Sequence, residues 1–143
     1  MARRSIARGD SCTVKGTNLG QRRTANYPYR SDDREYGVLT DGYEGQRYNS
    51  PNDIETWPRP NLFTDPWHGD RSQMMEMSIE GVYRIDLDGR VVRILEQPAI
   101  ERPNGVAVTQ DGKTLYVIDS CPTVGGNRKV WRFSLDEAGN AHD

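Results

Sequence analysis

The chain has 143 residues, of which 34% are hydrophobic and 28% are charged, and its formal net charge is -2. This composition predicts a small folded part with a modest core. The sequence has no run of about 18 apolar residues and no apolar stretch near its N-terminus, so neither a membrane-spanning helix nor a signal peptide is predicted, and the cytoplasm is the default location.

Residues 1–35 are predicted to form a basic tail, because they contain eight Arg or Lys and only four acidic residues, whereas residues 36–143 contain 11 and 17. The tail is poor in aliphatic residues and cannot bury enough apolar surface to offset its ordering entropy, so we expect it to be mostly disordered. A nucleic-acid-binding arm is the alternative, but the arginines are dispersed and no aromatic stacking platform accompanies them. Cys12 and Cys121 are too few for a disulfide framework or a zinc site, and both are expected to be free thiols.

The folded part, residues 36–143, is predicted to consist of strands. Tyr36–Thr40 ends at a strong turn signal and is interpreted as the last strand of a preceding unit. Ile54 opens a weak, irregular strand near Pro58 and Pro60, and Leu62–Thr64 is the next short strand. In the following loop, Gly69–Glu80, we expect three methionines to pack over a strand edge rather than bind a metal; they are Met74, Met75 and Met77.

The clearest hairpin joins Gly81–Leu87 to Arg90–Leu95. Its connection is Asp88-Gly89, a dipeptide that supplies the positive φ of a tight turn. Further strands are predicted at residues 105–108, 114–118 and 130–135, and the chain is expected to end before a further strand is complete.

The second half of the folded part repeats the first. Pro103-Asn104-Gly105 follows Pro51-Asn52-Asp53 by 52 residues, and Val130–Asp136 follows the similar segment Val82–Asp88 by 48 residues. A repeat of roughly 50 residues made of strands is typical of propeller blades. The fold class is therefore all-β: a partial β-propeller of about two four-stranded antiparallel blades over residues 36–143. Because a closed propeller needs about 4 to 8 blades, this chain cannot close a ring by itself.

Several motifs in this order resemble the gluconolactonase and regucalcin-like (senescence marker protein) family. They are Asn49-Ser50-Pro51-Asn52-Asp53, Phe63-Thr64-Asp65-Pro66, Arg102-Pro103-Asn104-Gly105 and Asp111-Gly112-Lys113-Thr114-Leu115-Tyr116-Val117. The resemblance implies a six-bladed β-propeller and a lactonase that hydrolyses a sugar lactone with a divalent metal ion, Ca²⁺ or Zn²⁺. It covers residues 36–143, and it implies that this chain corresponds to the middle of the propeller.

The resemblance also implies a metal site at one mouth of the central channel. In the family the metal is held by a Glu of the first blade, the Asn of the Pro-Asn-Gly turn, and a later Asp that also acts as general acid or base. Carried over, Asn104 is the metal ligand, and Asn52 lies beside metal and substrate. Neither carboxylate has a match, because Glu35 lacks the surrounding motif and the late Asp would fall beyond Asp143. No catalytic residue is therefore predicted within this chain, and the metal site is expected to be incomplete.

Four further residues follow strand ends on the side where the family binds substrate: Asp65, Trp67, His68 and, at the matching place in the second repeat, Asp119. They are candidate contacts to sugar hydroxyls. For Asp65 and Asp119 the alternative is a carboxylate that caps the strand end, and for Asn52 and Asn104 it is an ordinary turn residue.

Two functions from different classes remain open. In the first, the chain supplies Asn52 and Asn104 to a lactonase whose missing carboxylates come from a longer product or a partner chain. In the second, the chain is a truncated, non-catalytic product that needs a partner or self-associates through open blade edges. The absence of both carboxylate motifs favours inactivity of the chain alone.

Overall fold

The computed structural model describes residues 12–14, 37–56, 60–69 and 74–143. All regular elements in these ranges are β-strands, which confirms the predicted all-β class. The twelve strands are β1 Cys12–Val14, β2 Gly37–Thr40, β3 Gly42–Tyr43, β4 Gln46–Arg47, β5 Ile54–Glu55, β6 Asn61–Asp65, β7 Gly81–Ile85, β8 Val91–Glu96, β9 Pro103–Val108, β10 Thr114–Ser120, β11 Arg128–Leu135 and β12 Ala141–His142. Within the described ranges, no helix is long and apolar enough to cross a membrane.

The first blade is a four-stranded antiparallel sheet in the order β5-β6-β7-β8. The predicted hairpin between β7 and β8 is confirmed: the amide of Asp86 donates to the carbonyl of Arg90 at 2.8 Å, and Gly89 takes a φ of 88° in the turn. At this φ a side chain would be strained, which is why glycine suits the position. The weak strand predicted at Ile54 is only two residues long, and residues 57–59, which include Pro58, lie outside the described residues.

The second blade has the order β12-β11-β10-β9 and is also antiparallel. The chain was predicted to end before a fourth strand is complete, and the fourth strand of this blade is only two residues long. A two-residue strand, Ala141–His142, pairs with Ser134 and Leu135 of β11. The two four-stranded sheets confirm the predicted pair of blades.

The two blades pack face to face through one hydrophobic cluster. From the first blade it contains Leu62, Val82 and Leu95, from the intervening loop Ile100, and from the second blade Val106, Leu115, Val117 and Phe133. Polar contacts cross the same interface. Arg84 is only 3% exposed, and its Nη1 donates to Asn140 Oδ1 at 2.8 Å.

A second cluster covers the other face of the first blade. Its buried members are Tyr48, Phe63, Met77, Tyr83 and Ile85. The Tyr83 hydroxyl donates to Met77 Sδ at 3.2 Å, so Met77 packs as predicted, but Met74 is exposed and does not. Because both faces of the first blade are covered, every residue of β7 is buried. This strand therefore lacks the alternation of buried and exposed residues that is typical of a strand with one face in water.

Three residues of the predicted N-terminal tail are described. They form β1, which pairs in parallel with β2, the strand interpreted from the sequence as the end of a preceding unit. The rest of the tail lies outside the described residues, and its disorder stays a prediction. Cys121 is a free thiol, as expected, whereas the Cys12 side chain is not described.

Candidate functional site

A carboxylate at the end of β6 holds the loop that carries Asn52. Asp65 Oδ2 accepts a hydrogen bond from the amide of Asn49 at 2.9 Å, and Oδ1 accepts one from the amide of Ser50 at 2.8 Å. Asp65 is fully buried, and burial raises the pKa of its carboxyl to about 7, although the two amides act in the opposite direction. These two hydrogen bonds are those expected of a carboxylate that caps the end of a strand, the alternative considered for Asp65 from the sequence.

The second blade repeats the same arrangement. Asp119 Oδ2 accepts from the amide of Glu101 at 2.9 Å and Oδ1 from the amide of Arg102 at 2.8 Å, while Trp131 Nε1 donates to Oδ2 at 3.2 Å. Only 1% of Asp119 is exposed. For Asp65 and Asp119 alike the geometry favours the cap over the alternative of a substrate contact, which stays a prediction.

These two caps bring Asn52 and Asn104 together. Asn52 Nδ2 donates to Asn104 Oδ1 at 2.6 Å, although the two residues are 52 positions apart in the chain. The Thr64 hydroxyl donates to the backbone carbonyl of Asn104 at 2.6 Å and thereby ties the first blade to strand β9 of the second. Asn52 is exposed and Asn104 is half-buried, so the pair lies at the surface end of the interface between the blades.

The pair has unused hydrogen-bonding capacity. Among the described residues, Asn104 Nδ2 donates no hydrogen bond and Asn52 Oδ1 accepts none. The pair therefore offers one amide donor and one amide acceptor to an external group. A neutral ligand rich in hydroxyl groups matches this combination, because a hydroxyl both donates and accepts.

Asp53, the carboxylate next to Asn52 in the chain, is engaged elsewhere. Its Oδ2 accepts from the amide of Val106 at 2.9 Å, and its Oδ1 accepts from the amide of Ile54 at 3.0 Å. Asp53 thus joins the two blades and does not offer a free carboxylate to the asparagine pair. His68 is exposed and lies three residues past the end of β6, and its role as a substrate contact stays a prediction.

The sequence interpretation missed an ion pair close to this site. Arg102 Nε donates to Glu80 Oε2 at 3.0 Å, and the same oxygen accepts from the amide of Trp67 at 2.7 Å. Only 5% of Glu80 is exposed, and burial raises the pKa of its carboxyl, with the Trp67 amide and Arg102 opposing that effect. A glutamate directly before strand β7 was the available signal, but its partner lies 22 residues away and could not be found by local spacing.

Comparison with known proteins places this geometry in a family. A model of the SMP-30/gluconolactonase/LRE-like region matches residues 10–143. The chain belongs to this family. The family assignment made from the sequence motifs is thereby confirmed.

Three relatives within the SMP-30/gluconolactonase family illustrate the match. The chain is 38% identical over 111 residues to a gluconolactonase of Zymomonas mobilis, which covers 74% of this chain and 30% of the relative. It superposes on a gluconolactonase of Xanthomonas campestris with a TM-score of 0.58 and 29% identity. A structural-genomics X-ray structure named as a gluconolactonase gives a TM-score of 0.57 and 28% identity. Both structures match 72% of this chain and 35% of the other, so this chain spans about a third of the length of these family members.

The divalent metal implied by the SMP-30/gluconolactonase resemblance fits the described residues only in part. Within the described ranges, no three His, Cys, Asp or Glu side chains form a group that could hold a metal ion. Asn52 and Asn104 contribute two neutral amide oxygens, one of which, Asn104 Oδ1, already accepts a hydrogen bond. A hard cation such as Ca²⁺ takes 6 to 8 oxygen ligands and usually includes carboxylates among them. These asparagines alone do not make such a site.

Proposed function

We propose that this chain forms part of a sugar-lactone-binding site of a gluconolactonase-type hydrolase, with Asn52 and Asn104 as the residues that position the substrate. The observation that carries the proposal is the 2.6 Å hydrogen bond that joins the two side chains across the blade interface. The gluconolactonase names of the relatives support lactone as the substrate class.

The chemistry of the pair suits binding and positioning. A sugar lactone presents ring hydroxyls and a carbonyl oxygen, and in hydrolysis water attacks the carbonyl carbon while negative charge develops on that oxygen. Asn104 Nδ2 is a suitable donor to an oxygen of the lactone, and Asn52 Oδ1 is a suitable acceptor for a hydroxyl. Their mutual hydrogen bond and the Thr64 contact restrict both amides before the substrate arrives, which lowers the ordering cost of binding.

Proton transfer needs a further group. Two described carboxylates of the first blade, Asp53 beside Asn52 and Asp65 beneath the loop that carries it, have both oxygens occupied by backbone amides. A bound Ca²⁺ or Zn²⁺ would supply Lewis-acid polarisation of the lactone carbonyl. Because the described donor set is incomplete for such an ion, the proposal assigns only binding and positioning to this chain.

The test combines lactone binding with lactone hydrolysis. Binding of gluconolactone is followed by NMR line broadening, and hydrolysis by pH-stat, each with and without added Ca²⁺ or Zn²⁺. Asn104→Ala is expected to weaken binding at least tenfold, because it removes the donor and the group that orders Asn52. The control is Asn61→Ala at the other end of β6, which is expected to change binding less than twofold.

If the chain is instead a non-catalytic product, the opposite result of the binding and hydrolysis test is expected. This alternative is supported by the engagement of Asp53 with the backbone of Ile54 and Val106. Under this alternative the chain neither binds nor hydrolyses the lactone, whichever metal is added. Binding that is equally strong in wild type, Asn52→Ala and Asn104→Ala would refute the role given to the pair.

A further inference from the structure

Three alternate residues at the start of β9 contact the first blade. Arg102, directly before β9, and Asn104 and Val106 within it each have a polar partner on the first blade. Two residues span about 7 Å along a strand, so the contacts follow one another closely. Asn104, which carries the side chain of the candidate site, is the middle one of the three.

Two of these contacts are made by the backbone of β9. The carbonyl of Asn104 accepts from the Thr64 hydroxyl at 2.6 Å, and the amide of Val106 donates to Asp53 Oδ2 at 2.9 Å. Both lie at Asn104 or on its C-terminal side. The position of the chain on the N-terminal side of Asn104 therefore depends on the third contact.

The third contact is a pair of charged side chains. Arg102 Nε donates to Glu80 Oε2 at 3.0 Å, and Nη2 donates to Oε1 at 3.3 Å. Two N–H groups of one guanidinium on one carboxylate fix the orientation of both groups as well as their distance. Most of both side chains is buried, so salt in the solvent screens this ion pair less than it screens a surface pair.

Each partner of the ion pair is held on its own blade. Glu80 Oε2 also accepts from the amide of Trp67 at 2.7 Å, in the segment directly after β6. The amide of Arg102 donates to Asp119 Oδ1 at 2.8 Å, and its carbonyl accepts from the amide of Ser120 at 3.0 Å. The ion pair therefore joins two fixed backbone segments, and the second of them leads directly into β9.

Arg102 also supplies positive charge beside two buried carboxylates, those of Glu80 and Asp119. Burial raises the pKa of Glu80, and the charge of Asp119 acts in the same direction, whereas Arg102 opposes both. Without the guanidinium, two buried like charges on opposite sides of the blade interface repel each other. The start of β9 is then expected to move away from the first blade.

We infer that Glu80 and Arg102 are positioning residues of the candidate site, because they hold the start of β9 against the first blade and thereby set the distance at which Asn104 meets Asn52. They act through the backbone and make no assigned contact with substrate. Their effect on lactone binding rests on the proposed function, whereas their effect on the asparagine pair does not.

The test compares Arg102→Gln with the matched control Arg84→Gln in the complete chain. Arg84 is also buried and also reaches across the blade interface, to Asn140 Oδ1. It stands four positions after Glu80 along β7, which is about 13 Å of extended strand, and so lies away from the asparagine pair. Both variants remove one guanidinium from the interface, and both are expected to lower the urea midpoint.

The readout is the side-chain amide of Asn52 in NMR spectra of the chain without ligand. The scalar coupling between Asn52 Nδ2 and Asn104 Cγ is transmitted through their 2.6 Å hydrogen bond. Arg102→Gln is expected to reduce this coupling by about half or more and to shift the amide proton upfield, because a hydrogen bond weakens steeply as its geometry is lost. Arg84→Gln is expected to leave both signals unchanged.

A second, milder variant is Glu80→Gln. It keeps an acceptor for the amide of Trp67 but turns an NH₂ group toward Arg102, so it is expected to change the Asn52 signals in the same direction. Circular dichroism verifies that each variant is folded, and Glu80→Gln decides the outcome if Arg102→Gln does not fold. Signals that stay at their wild-type values in the folded variants overturn the inference. An equal change in Arg84→Gln also overturns it, because any loosening of the interface would then have the same effect.

Titration of the same proteins with gluconolactone separates this inference from the proposed function. Arg102→Gln is expected to raise the Kd for the lactone about tenfold, and Arg84→Gln less than twofold. If wild type does not bind the lactone, the proposed function fails, while the coupling in the free chain still decides whether Glu80 and Arg102 position the pair. If Arg102→Gln loses the coupling but keeps the wild-type Kd, the pair is positioned as inferred, and the role of the asparagines in binding is refuted.

Discussion

Replacing Asp119 by asparagine is expected to destabilise the second blade and to loosen the turn directly before β9, the strand that carries Asn104. The Asp119 carboxylate accepts three hydrogen bonds, from the amides of Glu101 and Arg102 and from Trp131 Nε1, and it is 1% exposed. Asparagine has nearly the same shape, but it keeps only one acceptor oxygen and turns an NH₂ group toward a backbone N–H. A buried donor left without its charged acceptor costs about 1–3 kcal/mol, so we expect a loss of about 2–4 kcal/mol in the free energy of unfolding.

The assay is urea unfolding, followed by tryptophan fluorescence and circular dichroism. Amide hydrogen exchange reports the turn directly, and the amides of Glu101 and Arg102 should exchange much faster in the variant. Asp111→Asn is the matched control, because Asp111 also accepts two hydrogen bonds, from Thr109 and Lys113, but lies exposed where water can replace them. If Asp119→Asn unfolds at the same urea concentration as Asp111→Asn, the cap does not stabilise the site as argued.

Three further predictions address the first blade and the interface. Burial raises the pKa of Asp65 from 3.8 to about 7, so the contribution of this carboxyl to stability is fully present below pH of about 3.8 and is lost as pH rises through about 7. Asp65→Asn should therefore flatten the pH dependence of the urea midpoint in this window, and an unchanged slope would contradict this. Thr64→Val removes the 2.6 Å hydrogen bond to Asn104 and is expected to cost about 1–2 kcal/mol in urea unfolding, whereas full stability would show that this bond is dispensable. Leu115→Ala empties part of the fully buried contact between the blades and should cost about 2–5 kcal/mol in thermal or urea unfolding; a cost below about 1 kcal/mol would mean that the blades do not share one core.

Local patterns predicted the elements that depend on neighbouring residues. The alternation in β7 and β8 and the Asp88-Gly89 turn predicted their hairpin, because hairpin register depends on the turn and the flanking side chains. The repeat predicted two blades, since similar segments in the same order fold into similar units. Local patterns failed at β12, where a two-residue strand carries almost no signal of its own.

The features of the candidate site also fall into two groups, those that short sequence motifs carry and those that only the tertiary structure sets. The sequence alone determined the family and the all-β class, because these are carried by short motifs and their order. It also indicated the two Pro-Asn segments as the candidate site, which stays a prediction. Only the tertiary structure decided that Asn52 hydrogen-bonds Asn104, that Asp65 and Asp119 cap strand ends, and that Glu80 pairs with Arg102. Each of these contacts joins residues at least 15 positions apart, which no local spacing encodes. The two caps depend on how the chain folds back within one blade, whereas the Asn52–Asn104 and Glu80–Arg102 contacts depend on how one blade packs on the next.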